Sequence, residues 1–134
     1  MLFAALTNHH PEKLERLIVS VNNQFFKMEN LECVVICNTL DEEYPKVAKA
    51  LATKYGWKFK QTESNGKPGK GKNSVFDYFL NETDQDSLFM MDGDDILYPT
   101  AFGQLNQITV RVPKLDVLGL QTNDCIDNEY FEEV

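Results

Sequence analysis

The chain has 134 residues, 43% hydrophobic and 25% charged, the balance of a soluble protein with room for one hydrophobic core. Its formal net charge of −8 argues against nucleic acid as the main partner, because proteins that bind a phosphate backbone carry a basic face. The apolar opening LFAAL is too short for a membrane span and lacks the basic leader of a signal peptide, so no transmembrane segment is expected.

In chain order, MLFAALT (1–7) reads as a buried strand. Pro11 opens a helix on which Leu14, Leu17, Ile18, Val21 and Phe25 form one apolar stripe. Asn8, His9 or His10 is placed to cap it. LECVVIC (31–37) is a second strand. Asp41 is placed to cap a second helix with an apolar side of Tyr44, Val47, Ala48, Leu51 and Tyr55, and Gly56 stops it. WKFKQT (57–62) alternates apolar and polar residues, as in a strand near a sheet edge. The glycine-rich stretch NGKPGKGKNS (65–74) leads to a short helix with Val75, Phe76, Phe79 and Leu80 on one side. SLFMM (87–91) is apolar throughout, which predicts a central strand, and the turn DGDD ends it. Residues 98–108 read as a helix and LDVLGLQ (115–121) as a fifth strand.

Strands alternate with helices, so the expected class is α/β: a parallel or mostly parallel sheet with helices on both faces, Rossmann-like in outline. Such sheets bind ligands beyond the carboxyl ends of their strands. That rule singles out Thr7 to His10, Asn38 to Asp41, Glu63 to Asn73 and Asp92 to Asp95. The three cysteines, Cys33, Cys37 and Cys125, match no zinc spacing, and two lie in an apolar run. They read as reduced thiols of a cytoplasmic protein.

Two of these segments carry chemistry. Gly66, Gly71 and Lys72 fall on the G-x-x-x-x-G-K spacing of a nucleotide-binding P-loop, but Asn73 stands where the hydroxyl ligand of magnesium should be. The stretch is open to three readings: a P-loop of an NTPase using residues 66–74, a solvated basic loop, or the wall of an anion site. In the last, Lys67, Lys70 and Lys72 and a helix N-terminus supply positive charge. The acidic turn places Asp92, Asp94 and Asp95 directly after a buried strand, where like charges are costly without a cation or hydrogen bonds. Hard carboxylate oxygens suit Mg2+ or Mn2+. Asp92 and Asp94, two residues apart, point the same way in extended chain, and Gly93 leaves room for a ligand. The alternative is a turn in which Asp95 caps the next helix. An EF-hand is excluded by the spacing and the missing terminal Glu.

Together these stretches resemble the first half of a family-2 glycosyltransferase of the GT-A fold. TNHHPEKLERLIVSVNNQ resembles that family's opening strand end and helix, with Asn8, Leu14, Ser20, Val21 and Gln24 on its pattern. Asp92, Asp94, Asp95 and Pro99 resemble its D-x-D signature, and Gly69, Lys72 and Asn73 its preceding G-x-x-x-A-R-N segment. The resemblance covers residues 1–122. It implies a nucleotide-sugar site at Thr7, Asn8, Asn38, Lys72, Asn73, Asp92 and Gly93, with Mn2+ or Mg2+ on Asp94 and Asp92. The implied partners are a UDP- or GDP-type diphosphate sugar and a saccharide or other hydroxyl acceptor.

The chain departs from the family pattern in three places. Asn38 stands near the aspartates that read the base, and an amide offers a different donor and acceptor pattern. Lys72 replaces an arginine, which loses a planar fork. The family's acceptor half and catalytic base lie beyond the matching stretch. Residues 1–134 are therefore expected to be a single nucleotide-sugar-binding domain lacking the acceptor half, with an uncovered edge prone to self-association. No catalytic base is identified: Asp124 and Asp127 sit in a polar tail, and His9 and His10 suit a capping or surface role. A binding module that holds the sugar nucleotide without transferring it is the alternative.

Overall fold

The computed structural model describes residues 1–63, 67–119, 124–126 and 129–131. Four strands, β1 (Leu2–Thr7), β2 (Glu32–Cys37), β3 (Lys58–Gln61) and β4 (Leu88–Asp92), form a parallel sheet in the order β3-β2-β1-β4. Successive side chains of a strand point to opposite faces, and the sequence uses both. Phe3 and Ala5 of β1 and Val35 and Cys37 of β2 enter one core layer. Leu2, Ala4, Val34 and Ile36 enter the other.

Helices cover both layers, as the alternating pattern predicts. On the first face lie α1 (Pro11–Asn22) and α2 (Tyr44–Lys54), joined in the same layer by Phe102. Leu14, Leu17 and Ile18 of α1 are fully buried, and burial of each such side chain is worth about 1.5–3 kcal/mol. Phe3, Trp57, Phe89 and Phe102 pack ring against ring in this layer, with centroids 5.1–6.2 Å apart for the pairs in contact. On the second face α3 (Pro68–Glu82) inserts Val75 and Tyr78.

Several local expectations are corrected. β4 is not central: it pairs only with β1 among the described residues and is half-buried, so its apolar run reflects two partly covered faces, Phe89 and Met91 on one and Leu88 and Met90 on the other. α1 stops at Asn22 and Phe25 is 78% exposed, because the chain turns there and the Phe25 amide donates to the Pro99 carbonyl at 3.0 Å. Asp41 does not cap α2 directly. Its carboxylate accepts from the Glu43 amide at 2.9 Å and shapes the approach to the helix. The buried face of α2 is Tyr44, Pro45, Ala48 and Ala52, while Val47 is exposed; the two small alanines let the helix sit close on the sheet. Gly56 ends that helix as expected, at φ 76°.

The helix after the glycine stretch starts earlier than predicted, at Pro68, and its inward residues are Gly71, Val75 and Tyr78, with Phe76 and Leu80 exposed. Residues 115–119 form no strand, and 120–121 lie outside the described residues.

The chain divides into two compact units, Met1–Gln104 and Leu105–Val134. The first contains the sheet. The helix α4 (Ala101–Arg111) begins in it and runs into the second. The second also holds a short antiparallel pair, β5 (Asp124–Ile126) and β6 (Glu129–Phe131). Among the described residues no helix is long and apolar enough to cross a membrane.

Candidate functional site at the carboxyl edge of the sheet

The hydrogen-bond ladder runs one residue past the strands and sets the site. The Asn38 amide donates to the Thr7 carbonyl at 2.8 Å, and the Gly93 amide donates to the Leu6 carbonyl at 2.7 Å. The ends of β2 and β4 are thereby fixed on either side of the end of β1. Thr7 is itself buried, and its hydroxyl meets the Tyr44 hydroxyl at 2.5 Å, which ties β1 to α2. Burial pushes the Tyr44 phenol up to about 12, so it stays protonated. Beyond Thr7 the chain turns sharply: the Asn8 side chain meets the His9 ring, and His10 adopts a left-handed conformation, φ 65°, before Pro11 starts α1.

Two glycines let these pieces come together. A Cβ on Gly93 would stand 2.8 Å from the Thr7 Cβ and 3.2 Å from the Leu6 carbonyl oxygen. A Cβ on Gly71 would stand 2.6 Å from the Asn38 side-chain nitrogen. Only glycine allows β4 and α3 this approach to β1 and β2. The value of Gly93 was legible in the sequence as room in a turn. That of Gly71 was not, although a glycine on the inward face of a helix is its signal.

The result is a cleft of about 210 Å³. Thr7 and Asn8 line it at the end of β1, Asn38 just past β2, Lys72 from α3, and Asp92, Gly93 and Asp94 at the end of β4 and in the turn after it. Leu6, His9 and Pro68 complete the wall; His9 and Pro68 lie in segments that the strand-end rule singled out, and Leu6 does not. Asn73 is exposed on α3 and does not line the cleft. Asp124 belongs to β5, and Asp127 lies outside the described residues.

The carboxylates of Asp92, Asp94 and Asp95 all come within 4.8 Å of one another on the exposed turn, closed by the Asp95 amide donating to the Asp92 carbonyl at 3.1 Å. Partial burial, then the charges of Asp94 and Asp92, push the Asp95 carboxyl above its usual range. Asp95 caps no helix, since α4 begins only at Ala101. Three hard oxygen ligands held against their mutual repulsion fit a divalent cation such as Mg2+ or Mn2+.

Among the described residues, the glycine stretch is not a phosphate-wrapping loop of the P-loop kind. From Pro68 it is helix, and the Gly71 amide donates to the Lys67 carbonyl at 2.9 Å. Gly66 lies outside the described residues. A larger hollow of about 500 Å³ opens at the opposite end of the sheet, but Glu32 there is paired with Lys58 at 2.7 Å and none of the motif residues reaches it.

No family model and no curated protein matches the chain. Solved structures do. S. aureus TarS, a glycosyltransferase, is 20% identical with TM-score 0.61 over 83% of this chain and 20% of its own. The fold is GT-A-like. TarS 1-349 in complex with UDP-GlcNAc gives TM-score 0.62 at 20% identity, over 82% of this chain and 31% of its own. TarS 1-349 alone gives 0.61 at 19% identity over 94% of this chain and 42% of its own. The chain thus spans less than half the length of these relatives.

Proposed function

We propose that this chain is the nucleotide-sugar-binding part of a family-2-type glycosyltransferase. The observation that carries the reading is the meeting of Thr7, Asn8, Asn38, Lys72, Asp92 and Asp94 in one cleft at the carboxyl edge of a GT-A-like sheet. The same fold in TarS has been seen with UDP-GlcNAc. In this proposal the donor is a UDP- or GDP-type diphosphate sugar. Asn38, with both a donor and an acceptor on its amide, faces the base. Lys72 adds charge beside the diphosphate. Asp94, with Asp92, holds Mn2+ or Mg2+, which when bound supplies charge neutralisation for the leaving diphosphate. The acceptor is a saccharide or another hydroxyl compound, and no residue is assigned as its base. Cys33 and Cys37 are free thiols packed in or against the core, and the setting in this proposal is cytoplasmic, where thiols stay reduced. The outer edge of β4, unpaired among the described residues, is the place for self-association.

Calorimetric titration with UDP-GlcNAc, UDP, GDP and ATP, in Mn2+ and in EDTA, tests the reading. Metal-dependent binding of a nucleoside diphosphate or its sugar is expected. Absence of binding by every nucleotide would sink it, and binding without transfer to any acceptor would favour the non-catalytic module.

A further inference from the structure

Ser20 and Gln24 do not line the cleft, yet both bond to the chain that leaves the acidic turn. The Leu97 amide donates to the Ser20 hydroxyl at 3.0 Å, and that hydroxyl donates to the Leu17 carbonyl at 2.7 Å. Gln24 is 2% exposed and every polar atom of its amide is engaged. Its nitrogen donates to the Tyr98 carbonyl at 2.5 Å and the Ser20 carbonyl at 3.1 Å, and its oxygen accepts from the Phe102 amide at 2.9 Å. The Phe25 amide adds its bond to Pro99. Two of the three backbone groups that satisfy this buried side-chain amide lie 74 and 78 residues away, so it ties that backbone to the end of α1.

The acidic turn therefore hangs between two fixed points. On one side the Gly93 amide is locked to Leu6. On the other, Leu97 is locked to Ser20. Only three residues, Asp94, Asp95 and Ile96, separate them. Carboxylates this close repel, and a free turn would relax by spreading them apart.

We propose that Ser20 and Gln24 are positioning residues that hold the Asp92–Asp95 turn closed before a cation arrives, so that its affinity is set from behind the site. The effect on metal rests on the function proposed above; the hold on the turn does not. Partners that orient metal ligands without touching the metal typically change affinity about 10–100-fold.

The test uses the full chain with Ser20→Ala, Gln24→Met and Ser20→Thr. The reporters are amide hydrogen exchange at Gly93 and Asp95 without metal, and Mn2+ binding followed by the spin resonance of the free ion. Exchange at Asp95 should quicken about tenfold in Ser20→Ala and Gln24→Met, while the amides of Ala4 and Val35 keep their protection. Mn2+ affinity should fall about tenfold, UDP affinity in EDTA should hold, and Ser20→Thr should restore both. Unchanged exchange at Asp95, or a rise shared equally by the β1 and β2 amides, would overturn the proposal. Wild-type protein that binds no Mn2+ would count against the metal site instead, and the exchange data would still decide the hold. If Gln24→Met fails to fold, Ser20→Ala alone decides.

Discussion

Gly71 of α3 and Asn38 at the end of β2 are in contact so close that a Cβ on the glycine would lie 2.6 Å from the asparagine's side-chain nitrogen and 3.2 Å from Leu6 Cδ2. Asn38 is 4% exposed and cannot swing away freely. The glycine normally costs a helix about 1 kcal/mol relative to alanine, so Gly→Ala in an open helix should stabilise. At Gly71 the clash reverses the sign. We expect Gly71→Ala to destabilise by about 1–3 kcal/mol, the usual range for overpacking, and to weaken UDP binding by displacing Asn38. Gly69, two residues earlier in the same helix, has nothing within 4 Å of its added Cβ, so Gly69→Ala should be neutral or stabilising. Denaturant melts of the pair check this; equal shifts would show that Asn38 yields easily.

Burial pushes the Cys33 thiol up to about 12, with Glu32 adding to the rise, and the Cys37 thiol up to about 11. An acid whose folded pKa is raised stays protonated while its unfolded counterpart, near 9, ionises. Stability is therefore unaffected by these groups below about pH 8 and falls as pH rises from there toward 11 and 12. The same protonation makes the thiols poor nucleophiles. Iodoacetamide at pH 8, read by peptide mass spectrometry, should label Cys33 and Cys37 at least about tenfold more slowly in native than in denatured protein. Fast native labelling of Cys37 would contradict its burial.

Much of this was legible because strands and helices carry different periods and because parallel sheets present their loops at one edge. The apolar runs of β1 and β2, the stripe from Leu14 to Val21 and the stop at Gly56 needed only local rules. The grouping of Thr7, Asn8, Asn38, Lys72 and Asp92 to Asp94 in one cleft followed from the edge rule for parallel sheets, since each ends or follows a strand or lies in the first turns of a helix. The errors arose where long-range contacts decide. The apolar run of β4 says that it is covered, not how many strands flank it. Phe25 fits the stripe of α1, but Gln24 and the Phe25 amide are drawn to residues 98–102 and the helix ends first. The glycines at 69 and 71 read as loop, although Pro68 is a good first helical residue and Gly71 is small because Asn38 is there.

Lys72 separates two schemes of nucleotide binding. It faces the cleft from the first turns of α3, in a segment that is helix rather than a phosphate-wrapping loop. Lys72→Ala should lower UDP affinity about fivefold, which is what ~1 kcal/mol from an exposed charge contact amounts to. Wild-type protein should hydrolyse no ATP. A coupled phosphate-release assay checks this, and robust turnover that vanishes in Lys72→Ala would restore the P-loop reading.

Asp94 offers the most direct test of the acidic turn. Its carboxylate lies within 4.8 Å of those of Asp92 and Asp95, and the three repel one another in the absence of a cation. Removing one charge should therefore leave the metal-free protein as stable as wild type or more so. A cation that binds only the folded chain adds stability by mass action, about 2.7 kcal/mol at a concentration 100 times its Kd. Mn2+ should raise the thermal midpoint of the wild type by a few degrees, a shift that EDTA reverses. In Asp94→Ala the midpoint should start no lower and should not move with Mn2+, and the gain in UDP affinity that the metal gives should largely disappear. The two halves of the prediction bind each other: a variant that is simply misfolded would start lower, and a surface carboxylate with no ligand would leave the Mn2+ response intact. Scanning fluorimetry with and without Mn2+ reads both at once. An equal Mn2+ shift in wild type and Asp94→Ala would place the cation elsewhere on this acidic protein.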